Sequence, residues 1–148
     1  MSVDGESDAT IRRLLTTTRR IALVGASVKP WRASHGVMRF LLDHGFDVTP
    51  VNPVLAGQML HGRTVVACLQ DAAPLEVIDV FRNSSHVGSL VDEAIRLGAT
   101  SIWMQLGVVD QDAASRARAT GITVVMDRCP VIEDRRLRLF KPGCPSRH

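Results

Sequence analysis

A doubly wound α/β fold, with a mainly parallel sheet covered by helices on both faces, is the class this sequence predicts. Three features carry that expectation. Short apolar runs alternate with amphipathic stretches along the whole chain, the pattern of strand–helix–strand units. The first run, Ile21-Ala-Leu-Val24, holds no polar residue, as befits a parallel strand buried on both sides. Gly25 follows at once and lets the backbone turn sharply, opening a loop that carries Lys29 and Arg32 and leads to a helix. Such a loop joins the carboxyl end of a strand to the amino end of a helix, where open α/β sheets hold phosphate-bearing ligands.

The elements follow in order. Ser7 or Asp8 can cap a short helix that places Ile11, Leu14 and Leu15 on one face and runs to about Thr18. Ser34 is the expected N-cap of the helix after the first strand, with Val37, Met38, Leu41 and Leu42 at helical spacing up to Gly45. Phe46 to Val51 reads as the second strand, stopped by Asn52-Pro53 because proline cannot donate to a ladder. Residues 54–64 read as loop, and Thr64 to Leu69 as a short third strand or edge segment. After the break at Ala73-Pro74, Glu76 to Phe81 is a strand. The next helix turns Val87, Leu90, Val91, Ala94, Ile95 and Leu97 inward and ends with Gly98 at C′. Ser101 to Gln105 is a strand, and Asp110 caps an alanine-rich helix that Gly121 stops. Ile122 to Met126 is the last strand, and an irregular tail is expected from Asp127-Arg-Cys-Pro130 onward.

The chain has 148 residues, enough for one domain with a sizeable core and no staples. Residues 1–19 read as an amino-terminal segment with a short helix, 20–133 as the ligand-binding domain and 134–148 as a basic tail. The amino terminus is acidic and polar (Asp4, Glu6, Asp8), with no apolar stretch of a secretory signal, and no run reaches membrane-spanning length. A cytoplasmic protein without membrane contact is expected. The net charge of +3 is mild, Tyr is absent and other aromatics are few, so a nucleic-acid partner is discounted. Leu137, Leu139 and Phe140 in the tail hint at a docking surface, leaving a homo-oligomer or an unidentified protein partner open. Cys68, Cys129 and Cys144 are widely spaced and match no metal-ligand pattern, so free thiols are expected and no metal.

In this fold the ligand lies beyond the carboxyl ends of the strands, so the residues there are the candidates. They are Gly25, Ala26 and Ser27; Asn52 and Pro53; Phe81, Arg82, Asn83 and Ser84; Gln105, Leu106 and Gly107; and Asp127, Arg128 and Cys129. The first turn carries neither G-x-G-x-x-G nor G-x-x-x-x-G-K-[ST], so nucleotide hydrolysis is not indicated. A site for NAD would want Asp or Glu at the end of the second strand to accept from the ribose 2′-hydroxyl. Asn52 stands there, and a neutral amide tolerates an extra phosphate that a carboxylate would repel. With Lys29 and Arg32 this favours a ligand more negative than NAD.

The segments Val24-Gly-Ala-Ser27 with Lys29-Pro30 and Arg32, Pro50-Val-Asn-Pro53, Val80-Phe-Arg-Asn-Ser84, Trp103-Met-Gln-Leu-Gly-Val108 and Val125-Met-Asp-Arg-Cys-Pro130 carry a resemblance. The chain resembles stand-alone CoA-binding proteins of the YccU type, with a single Rossmann-like domain similar to the amino-terminal CoA-binding domain of the succinyl-CoA synthetase α-subunit. The resemblance spans about residues 20–133. It implies that coenzyme A or an acyl-CoA is the ligand. Gly25 to Ser27 and Ser34 would hold the pyrophosphate, and Lys29 and Arg32 would meet phosphates. Asn52 and Pro53 would line the adenosine end, and Phe81 to Ser84 the adenine or pantetheine side. The synthetase's second domain, phosphorylatable histidine and nucleotide-grasping domain have no counterpart, so the resemblance implies cofactor binding and not the ligase reaction.

Blander roles stand beside these. Lys29 and Arg32 could solvate a loop, Arg82 could pair with Asp110 or Glu93, and Gln105 could bond a neighbouring backbone. Phe81 and Trp103 suit core packing, and His35, His44, His61 and His86 suit surface positions. Cys129 leaves the last strand beside Arg128, and a thiolate there could form a mixed disulfide with the CoA thiol; a packing role is its competitor. Two other readings of the chain are an NAD(P)-binding redox-sensing module and a thiol-dependent acyl-CoA enzyme using Cys129.

Overall fold

The computed structural model describes residues 7–139. Helix α1 (Asp8–Thr17) starts where Ser7 Oγ accepts from the Thr10 N–H, and it buries Ile11, Leu14 and Leu15. Strand β1 (Arg20–Val24) leads into α2 (Ala33–Asp43) and β2 (Asp47–Val51). A small hairpin of β3 (Met59–Leu60) and β4 (Arg63–Thr64) follows, then a 3-10 turn at Leu69–Ala72. Strand β5 (Val77–Val80), α3 (Val87–Arg96), β6 (Ser101–Met104), α4 (Gln111–Ala119), β7 (Thr123–Val125) and α5 (Pro130–Leu137) complete the described chain.

The main sheet is parallel, in the order β2-β1-β5-β6-β7. It therefore grows in opposite directions from the neighbouring strands β1 and β5, and the crevice opens at that reversal. Side chains alternate across the sheet. Ile21, Leu23, Val77, Trp103 and Val125 pack with α1, α2 and α5, while Ala22, Val24, Ile78, Val80, Ile102, Met104 and Val124 pack with α3 and α4. Both faces are covered, which is why these strands read as unbroken apolar runs.

Three expectations are corrected. Helix α2 begins at Ala33 with Arg32 at the N-cap, so Ser34 is a buried second helical residue and caps nothing. Residues 54–64 are not all loop, since they contain the hairpin. Its turn, His61-Gly62, has positive φ at both positions (49° and 80°), the geometry a two-residue hairpin needs. Of the two readings of Thr64 to Leu69 the edge segment holds: Val66 forms an isolated parallel bridge to Val51 beside the edge strand β2, and a 3-10 turn follows. The tail after Asp127 is not irregular. Pro130 opens α5, whose fixed φ suits a first helical position, and the helix runs through the boundary expected at 133/134. Leu137 and Leu139 are half-buried against this chain's own core. Phe140, Lys141, Cys144 and Arg147 lie outside the described residues.

Candidate functional site: an electropositive cleft at the sheet reversal

The first turn is built by close backbone contact. The Gly25 N–H donates to the Val51 carbonyl (3.0 Å), and the Phe81 N–H donates to the Val24 carbonyl (2.8 Å), so the ends of β2, β1 and β5 are held together. Gly25 has φ +92°, and a Cβ there would stand 3.0 Å from the Phe81 carbonyl oxygen. Only glycine fits a left-handed position pressed against a neighbouring strand.

A cleft of about 750 Å³ lies above this turn. Of the expected residues, Gly25, Ala26, Ser27, Lys29, Arg32, Ser34, Asn52, Phe81, Arg82, Asn83, Gln105 and Leu106 line it. Pro53, Ser84, Gly107, Asp127, Arg128 and Cys129 do not. The Ser84 hydroxyl accepts from the Val109 N–H (3.1 Å) and holds the loop after β6. Cys129 is buried at the start of α5, in the cluster that includes Trp103 and Val125. The Trp103 indole N–H donates to the Arg128 carbonyl (2.8 Å) from within that core.

The sequence reading missed Val54 and Leu55, in the loop after β2, and Val108 after β6. It also missed His86, which lines the cleft one helical turn beyond Asn83. A signal for His86 existed: a residue three positions after a strand-end Asn that caps a 3-10 turn comes back to the same side.

Asn52 serves the cleft's shape. Its Nδ2 donates to the Ala26 carbonyl (2.9 Å) while its Oδ1 accepts from the Val54 N–H (2.9 Å), which ties the first turn to the loop after β2. Ser27 Oγ likewise accepts from the Lys29 N–H (3.1 Å), and Asn83 Oδ1 from the Ser85 N–H (3.1 Å). These short polar side chains bond their own loops and fix them.

Charge is one-sided. Lys29, Arg32, Arg82 and His86 line the cleft, and no Asp or Glu is among its lining residues. Among the described residues none of Lys29, Arg32 and Arg82 is paired with a carboxylate; the described ion pairs take other arginines. The expected alternative for Arg82 is therefore not formed: Asp110 accepts from the Ala113 N–H as the cap of α4. Helix α2 begins in the cleft with no side-chain cap and no acidic residue in its first turn. Its first N–H groups and the positive end of its dipole face the ligand space without a built-in anion. The arrangement can hold a strongly anionic, elongated ligand.

Among the described residues no group of three or more His, Cys, Asp or Glu side chains could hold a metal ion, and no helix is long and apolar enough to cross a membrane.

A family model described as a CoA binding domain matches residues 19–135. The uncharacterized protein YneT of Bacillus subtilis (strain 168) is 33% identical over 123 residues, covering 83% of this chain and 90% of that protein. Two solved structures resemble the fold over nearly their full length. Prb, described as the PH1109 protein redesigned for binding, has a TM-score of 0.89 at 38% identity, covering 97% of this chain and 100% of its own. A hypothetical protein from Pyrococcus horikoshii OT3 has a TM-score of 0.87 at 37% identity, covering 93% of this chain and 96% of its own.

Proposed function

We propose, since the chain belongs to the CoA binding domain family, that this cleft binds coenzyme A or an acyl-CoA and carries no ligase chemistry of its own. One observation supports the reading most: four basic side chains and the uncapped start of α2 surround the cleft, with no acidic residue to balance them. Coenzyme A bears a pyrophosphate and a further phosphate on its ribose, more negative charge than NAD, and so suits such a surplus. The pyrophosphate belongs over Gly25 to Ser27 and the first turn of α2, where Lys29 and Arg32 add charge-assisted bonds. The strand order then divides the rest of the ligand. Adenosine extends over β2 toward Asn52, Val54 and Leu55, and the pantetheine arm extends over β5 and β6 toward Phe81 and Gln105.

Cys129 has no part in this proposal, because its thiol is buried away from the cleft lining. Calorimetric titration with CoA, acetyl-CoA, NAD and NADP tests the reading. CoA or acetyl-CoA is expected to bind at least tenfold more tightly than NAD, roughly the effect of one charge-assisted contact. It is also expected to bind more tightly than NADP, which has as many phosphates but a cationic nicotinamide where CoA has the pantetheine arm. Preferential capture of NAD or NADP would overturn it.

A further inference from the structure

Gln105 stands out within the cleft. It is the first residue after β6, and its backbone is fixed on both sides. Its N–H donates to the Val80 carbonyl (3.1 Å), and its carbonyl accepts from the Val108 N–H (2.9 Å). The residue is only 5% exposed, yet it lines the cleft and its Oε1 has no hydrogen-bond partner. The neighbouring backbone therefore does not satisfy this oxygen. A buried acceptor left unmade is costly, and such groups in folded proteins normally have a partner. The oxygen is shielded where it stands, so a ligand's donor meets it when the Gln105 side chain turns toward the cleft that the residue lines.

Position says which part of the ligand supplies it. Gln105 ends β6, two strands across the sheet from the Gly25 turn on β1. At the usual spacing between strands that is about 10 Å from the expected pyrophosphate. In coenzyme A a short branched segment separates the pyrophosphate from the first amide of the pantetheine arm, a reach of that order. The walls beside Gln105 (Phe81, Leu106 and Val108) are apolar and match the methyl and methylene groups of the arm.

We propose that Gln105 reads the amide-bearing arm: its Oε1 accepts from an N–H of pantetheine and so separates ligands with that arm from bare adenosine phosphates. This rests on the CoA reading above, which supplies the arm. Adenine carries an amino donor as well, but it belongs at the opposite, β2 end of the cleft.

The test titrates CoA and adenosine 3′,5′-bisphosphate into the full chain and into Gln105→Met, a side chain of similar length without the amide. CoA is expected to bind about tenfold more weakly to the variant, while the bisphosphate changes less than about twofold. Equal weakening of both ligands would mean that Gln105 only shapes the cleft or meets adenine, and no change in either would mean that it meets nothing; both overturn the proposal. Wild-type affinity for CoA no better than for the bisphosphate also overturns it, since the arm then contributes nothing. Wild-type protein that takes neither ligand overturns the CoA reading itself. Should Gln105→Met fail to fold, Gln105→Asn withdraws the amide by one methylene, and the same selective loss is expected.

Discussion

Asp79 is a charge-bearing residue with nothing to bear the charge against. It sits in the middle of β5 between Leu23 and Trp103, is 1% exposed, and neither carboxyl oxygen has a hydrogen-bond partner. It borders a small apolar cavity walled by residues such as Leu14, Ile21 and Pro130. Burial pushes its pKa well above the usual carboxylate value, because the charged form has lost water and gained no partner. The unfolded chain therefore ionises first as pH rises. Stability from this group is full below the unfolded pKa and is lost progressively up to the raised folded pKa. Asp79→Asn removes that dependence. The unfolding free energy of the variant relative to wild type, from urea titration, should rise with pH by up to about 1.4 kcal/mol per pH unit within that window. A difference that stays flat between pH 4 and 8 would mean the carboxyl is not held neutral. Gly25 is the second residue on which much turns. Gly25→Ala would place a methyl 3.0 Å from the Phe81 carbonyl at a φ of +92°, and the strain should cost about 1–3 kcal/mol. Denaturation should show that loss, and titration should show ligand binding lost with it, because Phe81 must move into the cleft or the first turn must move out.

At the scale of elements, what the sequence shows depends on whether an element announces itself through apolar spacing. Strands β1 and β5 are buried on both faces, and α3 keeps Val87, Val91 and Ala94 inward with Gly98 at positive φ behind it. Asp110 and Gly121 bracket α4 as cap and stop. These follow from patterning and end signals alone. Helix α5 does not, because its inward positions include the charged Glu133 and Asp134 while Ile132 is exposed. Glu133 is bought its burial by two arginines, Arg136 at 2.8 Å and Arg128 at 3.5 Å, and Arg136 also reaches Asp8 on α1. Such a helix is held by charge pairs across the chain, which no periodicity reveals. The β3–β4 hairpin hid for another reason: its strands are two residues long and its turn is His-Gly, where Asn-Gly would have signalled it. His61 Nε2 lies 3.0 Å from the His35 carbonyl, a contact that joins the hairpin to the first turn of α2 and depends wholly on tertiary structure. The candidate site shows the same division. Backbone turns and strand-end residues were legible, whereas Val54, Leu55 and His86 reach the cleft only through how loops fold back.

For the whole molecule the decisive quantity is where positive charge goes unbalanced. The net charge of +3 is small, and most described carboxylate–arginine pairs are exposed on both sides, as Arg39–Asp43 and Arg116–Asp92 are. The cleft differs, since Lys29, Arg32, Arg82 and His86 gather there without an acid. Charges in a cleft are partly shielded from counter-ions and act together on one ligand, whereas exposed pairs are screened within about 10 Å at 0.1 M salt. Ligand affinity should therefore fall as sodium chloride rises, more steeply for CoA than for NAD. Removing cleft cations should weaken CoA binding and flatten that slope together. Lys29→Gln with Arg32→Gln is expected to cost about tenfold or more at low salt and much less at high salt, whereas Arg39→Gln, in α2 and outside the cleft, should change neither affinity nor slope. A salt-independent CoA affinity would place the binding energy in apolar contact with walls such as Val54 and Leu106. The unbalanced charge would then be a property of the surface with no bearing on the ligand.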